Sequence, residues 1–264
     1  MSAAREVLDR FFSRRLGVEL ADLKPGQMGV ATCDRRTYVE RGFGFIRLLW
    51  VVHLGDRAAV SVHPTALSDV ARLAWGRSPD EVMGDEFACE ATAALERALP
   101  GVEPLTPGEG SVILYHPGEV APVACDGLTR VLKREDADCW RGPRDYMKAA
   151  HHPSADIGEA FGVFLDDRMI ASIITYEPPV AEFAQAVAED GIEVAQDYRG
   201  RGYRSALLAA WTREMQTRGR VRFHSPSLSN LASRGVARAV GYHEYARSRS
   251  PSHSPPEPTP DGDL

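Results

Sequence analysis

The stretch from Ile192 to Leu208, IEVAQDYRGRGYRSALL, constrains this chain more than any other. Ile192, Val194 and the small Ala195 fit the end of a buried strand. Arg199-Gly200-Arg201-Gly202 then forces a turn, because glycine reaches backbone angles closed to other residues. From Ser205 onward Ala206, Leu207, Leu208, Ala210, Trp211 and Met215 recur at helical spacing. A turn of this kind points amide N–H groups outward at the positive end of a helix, which suits phosphate oxygens. Arg199, Arg201 and Arg204 add cationic side chains of the right geometry for phosphate. The spacing is neither Gly-x-Gly-x-x-Gly nor Gly-x-x-x-x-Gly-Lys-Ser/Thr, so it matches neither a dinucleotide loop nor an NTPase loop.

Composition narrows the rest. With 264 residues and 44% hydrophobic content, the chain can build one large domain or two smaller ones, each with a core. A net charge of -6 argues against a general nucleic-acid binder. No run approaches the roughly 18 apolar residues of a membrane span. The opening MSAAREVLDRFFSRRLG carries too many charges for a signal peptide. Cys33, Cys89, Cys125 and Cys139 form no C-x-x-C pair and read as reduced thiols of a cytoplasmic protein. His53, His63, His116 and the pair His151-His152 are too scattered for a zinc site, and no metal is expected.

Taken in order, residues 3–16 predict an amphipathic helix with Val7, Leu8, Phe11, Phe12 and Leu16 on one face. Residues 41–62 predict one or two strands with a hairpin at Gly55-Asp56, and Gly42-Phe43-Gly44 is strand punctuation. Helices follow over 65–75 and 79–99, the second capped by Ser78 with Glu81 completing a capping box. Residues 112–115 are a short strand. This first part, 1–120, reads as an α+β unit with no chemical constellation. A strand at 128–132 then leads into a helix opened by the acids of 133–138. Two apolar runs, 161–165 and 169–174, flank Asp166-Asp167-Arg168 and predict a hairpin. Residues 181–188 read as helix or loop. Past the glycine turn the helix runs to about Thr217 and Gly219 stops it. Residues 221–224 are a strand. Ser229 or Asn230 caps a last helix carrying Ala232, Val236 and Val240 on one face, Gly241 ends it, and 243–249 form the last strand. The proline- and serine-rich tail, 250–264, cannot bury a core and reads as flexible.

The glycine turn resembles the acyl-CoA loop of the GNAT N-acetyltransferase superfamily, Arg/Gln-x-x-Gly-x-Gly/Ala. Arg199, Gly202 and Arg204 fall on its three defined positions, and Arg204 stands where Gly or Ala is usual. The hairpin resembles that family's second and third strands. Asn230-x-x-Ser233, a helix and Gly241-Tyr242 resemble its closing element. The resemblance covers about residues 125–249. It implies an α/β (α+β) fold: a GNAT-like mixed, mostly antiparallel sheet flanked by helices, with an additional N-terminal α+β unit. It also implies transfer of an acetyl group from acetyl-CoA, or of another acyl group from its acyl-CoA, to an amine by direct attack, with no metal. The acceptor would be a small-molecule or peptide amine, with no nucleic-acid or membrane partner, and a homodimer is left open.

By the same resemblance, Val194, Arg199, Gly200, Arg201, Gly202, Tyr203, Arg204, Ser205 and Asn230 would hold the acyl-CoA. Glu193 would be the catalytic base, the alternative being a solvent-facing glutamate on a half-exposed strand. Asn230 would contact pantetheine, serve as a plain helix cap, or do both. The family's usual acid, a tyrosine four residues before the closing glycine, is replaced by Ala237. Either solvent or another group protonates the thiolate, or the chain is a non-catalytic acyl-CoA-binding or regulatory protein. Acceptor loops would include 144–157 and 178–190. The acids Glu177, Glu182, Glu189 and Asp190 suit a cationic amine, and solvated surface explains them equally.

Overall fold

The computed structural model describes residues 2–39, 46–102, 105–139, 153–176, 178 and 180–251. The expectations for Gly42–Gly44, the loop residues 144–152, Glu177 and the tail 252–264 fall outside them. The chain divides into two compact units. One holds Leu8–Val112, Ser227–Ser229 and the chain from Ala246; the other holds Met1–Val7, Ile113–Pro226 and Asn230–Tyr245.

In the first unit, the helix α1 (Ala3–Leu16) buries Leu8, Phe11, Phe12 and Leu16. The strands β2 (Leu49–His53) and β3 (Ala58–Val62) form the expected hairpin, with Gly55 at φ 80° in the turn. Strand β1 (Met28–Thr32) pairs parallel to β3, and the end of β10 (His243–Arg249) pairs antiparallel to β2. Helices α2 (Leu67–Ala74), α3 (Pro79–Met83) and α4 (Asp85–Ala98) bury Val70, Val82, Phe87 and Leu95 against Val51 and Val60. The single helix expected over 79–99 is two helices. Gly84 is extended (φ -71°, ψ 164°) and breaks it. The capping box holds: Ser78 Oγ accepts from the Glu81 N–H at 3.3 Å, and the Glu81 carboxylate accepts from the Ser78 N–H at 2.6 Å.

The second unit carries the strand order β4-β9-β8-β7-β6-β5, where β4 is Ser111–Tyr115, β5 Thr129–Val131, β6 Phe161–Leu165, β7 Arg168–Tyr176, β8 Val187–Val194 and β9 Val221–His224. Neighbouring strands in this order are antiparallel except β8 with β9, which run parallel and are joined through helix α5 (Tyr203–Thr217). Helix α6 (Leu231–Val240) follows β9. The fold is therefore mixed α/β with mostly antiparallel strands flanked by helices. Asp166 and Asp167 both take left-handed angles, φ 47° and 60°, and so close the β6–β7 hairpin in register with the strand twist. The helix expected from 133 is a 3-10 turn, Arg134–Cys139. Asp136 holds it: its carboxylate accepts both Arg130 guanidinium N–H groups at 2.9 and 2.8 Å and the Lys133 N–H at 2.8 Å.

Strand β8 starts at Val187, four residues before the expected start at Gly191, and is buried along its whole length. Its acids hide this in the sequence. Helix α5 covers the sheet with Ala206, Leu207, Trp211 and Met215, and the Trp211 indole N–H donates to Thr175 Oγ1 at 2.9 Å. These contacts fix the start of α5 at the mouth of β8.

Candidate functional site

Strands β8 and β9 pair only over Val187–Glu189 with Val221–Phe223. From Asp190 and His224 onward they part. A cavity of about 590 Å³ is lined by Ile192–Val194 of β8, the turn 198–205, and Asn230, Ala232 and Val236 beside and on α6. All ten residues proposed from the sequence line it. Ile192, Tyr198, Ala232 and Val236 line it as well and were not proposed; the four-residue spacing of Ala232 and Val236 was the available signal.

The turn is built by backbone angle. Gly200 has φ 76°, and Gly202, the residue capping α5, has φ 85°. A β-carbon on Gly200 would meet nothing within 4 Å, and one on Gly202 would meet only Cys125 Sγ at 3.6 Å and Ala124 Cβ at 4.0 Å. The glycines are thus required by conformation, and their missing side chains leave open space beside the main chain. No side chain caps α5. The N–H groups of its first turn have no acceptor within the helix and form a positive end. Cys125, itself left-handed at φ 65°, supports the turn by donating its thiol to the Arg201 carbonyl at 3.6 Å. No local sequence signal links residues that far apart.

The three arginines are each tied down. Arg199 donates from Nε to the Val194 carbonyl at 3.2 Å and from Nη2 to Glu193 Oε1 at 3.3 Å. Arg204 folds back onto the Ile192 carbonyl at 3.3 Å. Arg201 donates to the Asp197 carbonyl at 3.1 Å and lies over the Tyr198 ring at 5.4 Å.

Glu193 is buried, with only 9% of its side chain exposed, so the half-exposed strand is not what the chain forms. Glu189 and Asp190 are buried too, and solvated surface does not account for them. Beside them the Tyr176 side chain packs close against Gly191: a β-carbon there would stand 2.5 Å from the phenol oxygen. Asn230 caps α6 by accepting the Ser233 N–H at 3.0 Å and also lines the cavity. Ala237 is fully buried. Tyr242 is no substitute for a tyrosine there. Burial pushes its phenol far above the ordinary range, and it is bonded to Thr212 Oγ1 at 2.7 Å. Among the described residues no cluster of metal-ligating side chains occurs, and no helix is long and apolar enough to cross a membrane.

The parted parallel strands and the glycine turn that opens α5 together wall the cavity. Residues 128–242 match the sequence model of the acetyltransferase (GNAT) family, so the chain carries a GNAT acetyltransferase domain over that span. No curated protein matches significantly. Among solved structures, a GNAT-family protein from Novosphingobium aromaticivorans is 20% identical, with 59% of this chain and 69% of that one covered and a TM-score of 0.46. An acetyltransferase from the GNAT family of Colwellia psychrerythraea is 16% identical over 62% of each chain, TM-score 0.44, so this chain spans less than two thirds of it. A Salmonella typhimurium protein whose structure was determined with its cofactor acetyl-CoA is 12% identical over 55% of this chain and 100% of that one, TM-score 0.39.

Proposed function

We propose that the protein is an N-acyltransferase that moves an acetyl group from acetyl-CoA to an amine by direct attack in a ternary complex. The observation that carries this reading is the uncapped start of α5 behind two left-handed glycines, opening on the cavity between β8 and α6. The residues fit the group. The first-turn N–H groups of α5 and the Arg199 and Arg201 guanidiniums would hold the pyrophosphate, because a helix start and fixed cations both favour phosphate oxygens. Asn230 and the main chain of Ile192–Val194 would hold the pantetheine arm. Bound acyl-CoA supplies an activated thioester.

Glu193 is our candidate for the base that removes the amine proton, acting through water, since an amine must be neutral to attack. Its bond to Arg199 ties that carboxylate to the turn. The buried acids of β8, Glu189 among them, favour an acceptor that carries positive charge. The test is thiol release from acetyl-CoA with a panel of amines. Release that depends on an amine supports the reading. Binding of CoA with no release over the whole panel would favour a non-catalytic acyl-CoA-binding protein.

A further inference from the structure

Three buried side chains of the second unit stand in line. Asp190 of β8 lies 3.1 Å, through Oδ1, from His224 Nδ1 at the end of β9. His224 Nε2 lies 2.7 Å from Ser233 Oγ on α6. All three residues are at most 6% exposed, and the Asp190 side chain is fully buried. No side chain other than His224 hydrogen-bonds Asp190 among the described residues, and its second oxygen also lies 3.0 Å from Nδ1.

The line adjoins residues of the cavity wall without itself lining the cavity. Asp190 is two residues before Ile192 on the same face of β8, because strand side chains alternate. It sits where pairing with β9 stops. At about 100° per residue, Ser233 falls on α6 between the directions of Val236 and Asn230, both of which line the cavity. A packing role alone is a costly explanation. A buried carboxylate needs a counter-charge, and the group at hydrogen-bond distance here that can supply one is the His224 imidazole. With protons on both ring nitrogens, Nε2–H would donate to Ser233 Oγ, and the Ser233 O–H would be left to donate to another group.

We propose that Asp190, His224 and Ser233 form a proton relay that protonates the sulfur leaving the acyl group. The inference rests on the acyltransferase reading above. The accounting closes. As the nitrogen–carbonyl bond forms, the amine proton passes to Glu193. As the carbonyl–sulfur bond breaks, the Ser233 proton passes to sulfur, and the His224 Nε2 proton replaces it. Glu193 then loses a proton to solvent and His224 regains one. Ser233 is the group that would touch the reacting atoms; His224 and Asp190 act through it. The relay would supply the acid that Ala237 cannot.

Two measurements test this. The first is nitrogen-15 NMR of histidine in the unliganded protein. A proton on both ring nitrogens of His224 at neutral pH, lost at one of them in Asp190→Asn, is expected; an Nε2 that carries no proton overturns the relay. The second is kinetics of Ser233→Ala, which keeps the α6 cap because Asn230 bonds the main-chain N–H. The kcat should fall about a hundredfold or more, the low end for a lost general acid, with KM for acetyl-CoA unchanged. Ser233→Cys, which keeps a donor, should recover part of the loss, and it serves as the second variant if the alanine protein does not fold. Parental kcat in Ser233→Ala refutes the relay while leaving the acyltransferase reading intact. A parent protein that binds no CoA refutes both.

Discussion

Replacing Gly202 separates what the backbone needs from what the ligand needs. Gly202 holds φ 85° at the start of α5, and a β-carbon there would lie no closer than 3.6 Å to any neighbour. Gly202→Ala therefore costs mainly backbone strain, roughly 1–2 kcal/mol for a non-glycine residue in the left-handed region. That lowers the melting temperature by a few degrees, at about 2–4 °C per kcal/mol for a chain of this size class. Gly202→Glu carries the same strain and adds a carboxylate facing the proposed pyrophosphate site. Like charges in a partly desolvated pocket cost about 1–3 kcal/mol. The glutamate variant should therefore bind CoA roughly 5- to 150-fold more weakly than the alanine variant, while melting within a degree or two of it. Calorimetric titration of CoA into both variants gives the affinities, and circular dichroism gives the folding. Equal CoA affinity in the two variants would mean that the turn does not face the pyrophosphate.

Other outcomes follow from single contacts. CoA at millimolar concentration should raise the melting temperature of the parent, since a ligand that binds only the folded state stabilises it; no shift would count against any CoA site. Arg201→Ala should weaken CoA binding less than Gly202→Glu, because Arg201 is a partly solvated cation and the α5 amides remain; a larger loss would move the binding role from main chain to side chain. Gly191→Val should destabilise the protein by about 1–3 kcal/mol by driving a side chain into Tyr176, and an unchanged melting temperature would contradict the close approach there. Hydrogen bonds from Arg213 hold the Asp126 carboxyl below its usual range. The sign is that of a depressed acid. The stabilisation is complete above the unfolded carboxylate range near about 3.9 and is lost as pH falls below it. Asp126→Asn should therefore flatten the acid limb of the stability curve, and an unchanged limb would show that the pair contributes nothing.

Much of the second unit was legible because its signals are local. The glycine turn, α5, the Asp166–Asp167 hairpin and the Asn230 cap each lie within a few residues, and the structure carries all four. The break in the long helix at Gly84 was not legible. Pro79 and Ser78 announced a start, but a second start six residues later competes with a continuous helical pattern. Strand β8 was half missed for a tertiary reason. VAEDGIEV reads as partly solvated, and only its neighbours on both sides bury Glu189, Asp190 and Glu193. The line from Asp190 to His224 to Ser233 joins three elements across 34 and 9 residues. No periodicity connects them; the β8–β9 register, which ends at Glu189 against Phe223, sets Asp190 beside His224.

The central claim is that the turn 199–205 and the cavity beyond it hold an acyl-CoA. A crystal structure of the protein grown with CoA tests it most directly. The account predicts the pyrophosphate on the first-turn N–H groups of α5 and the pantetheine arm between β8 and Asn230, its sulfur near Ser233. Pyrophosphate bound elsewhere, or CoA lying outside the gap between β8 and α6, would contradict it.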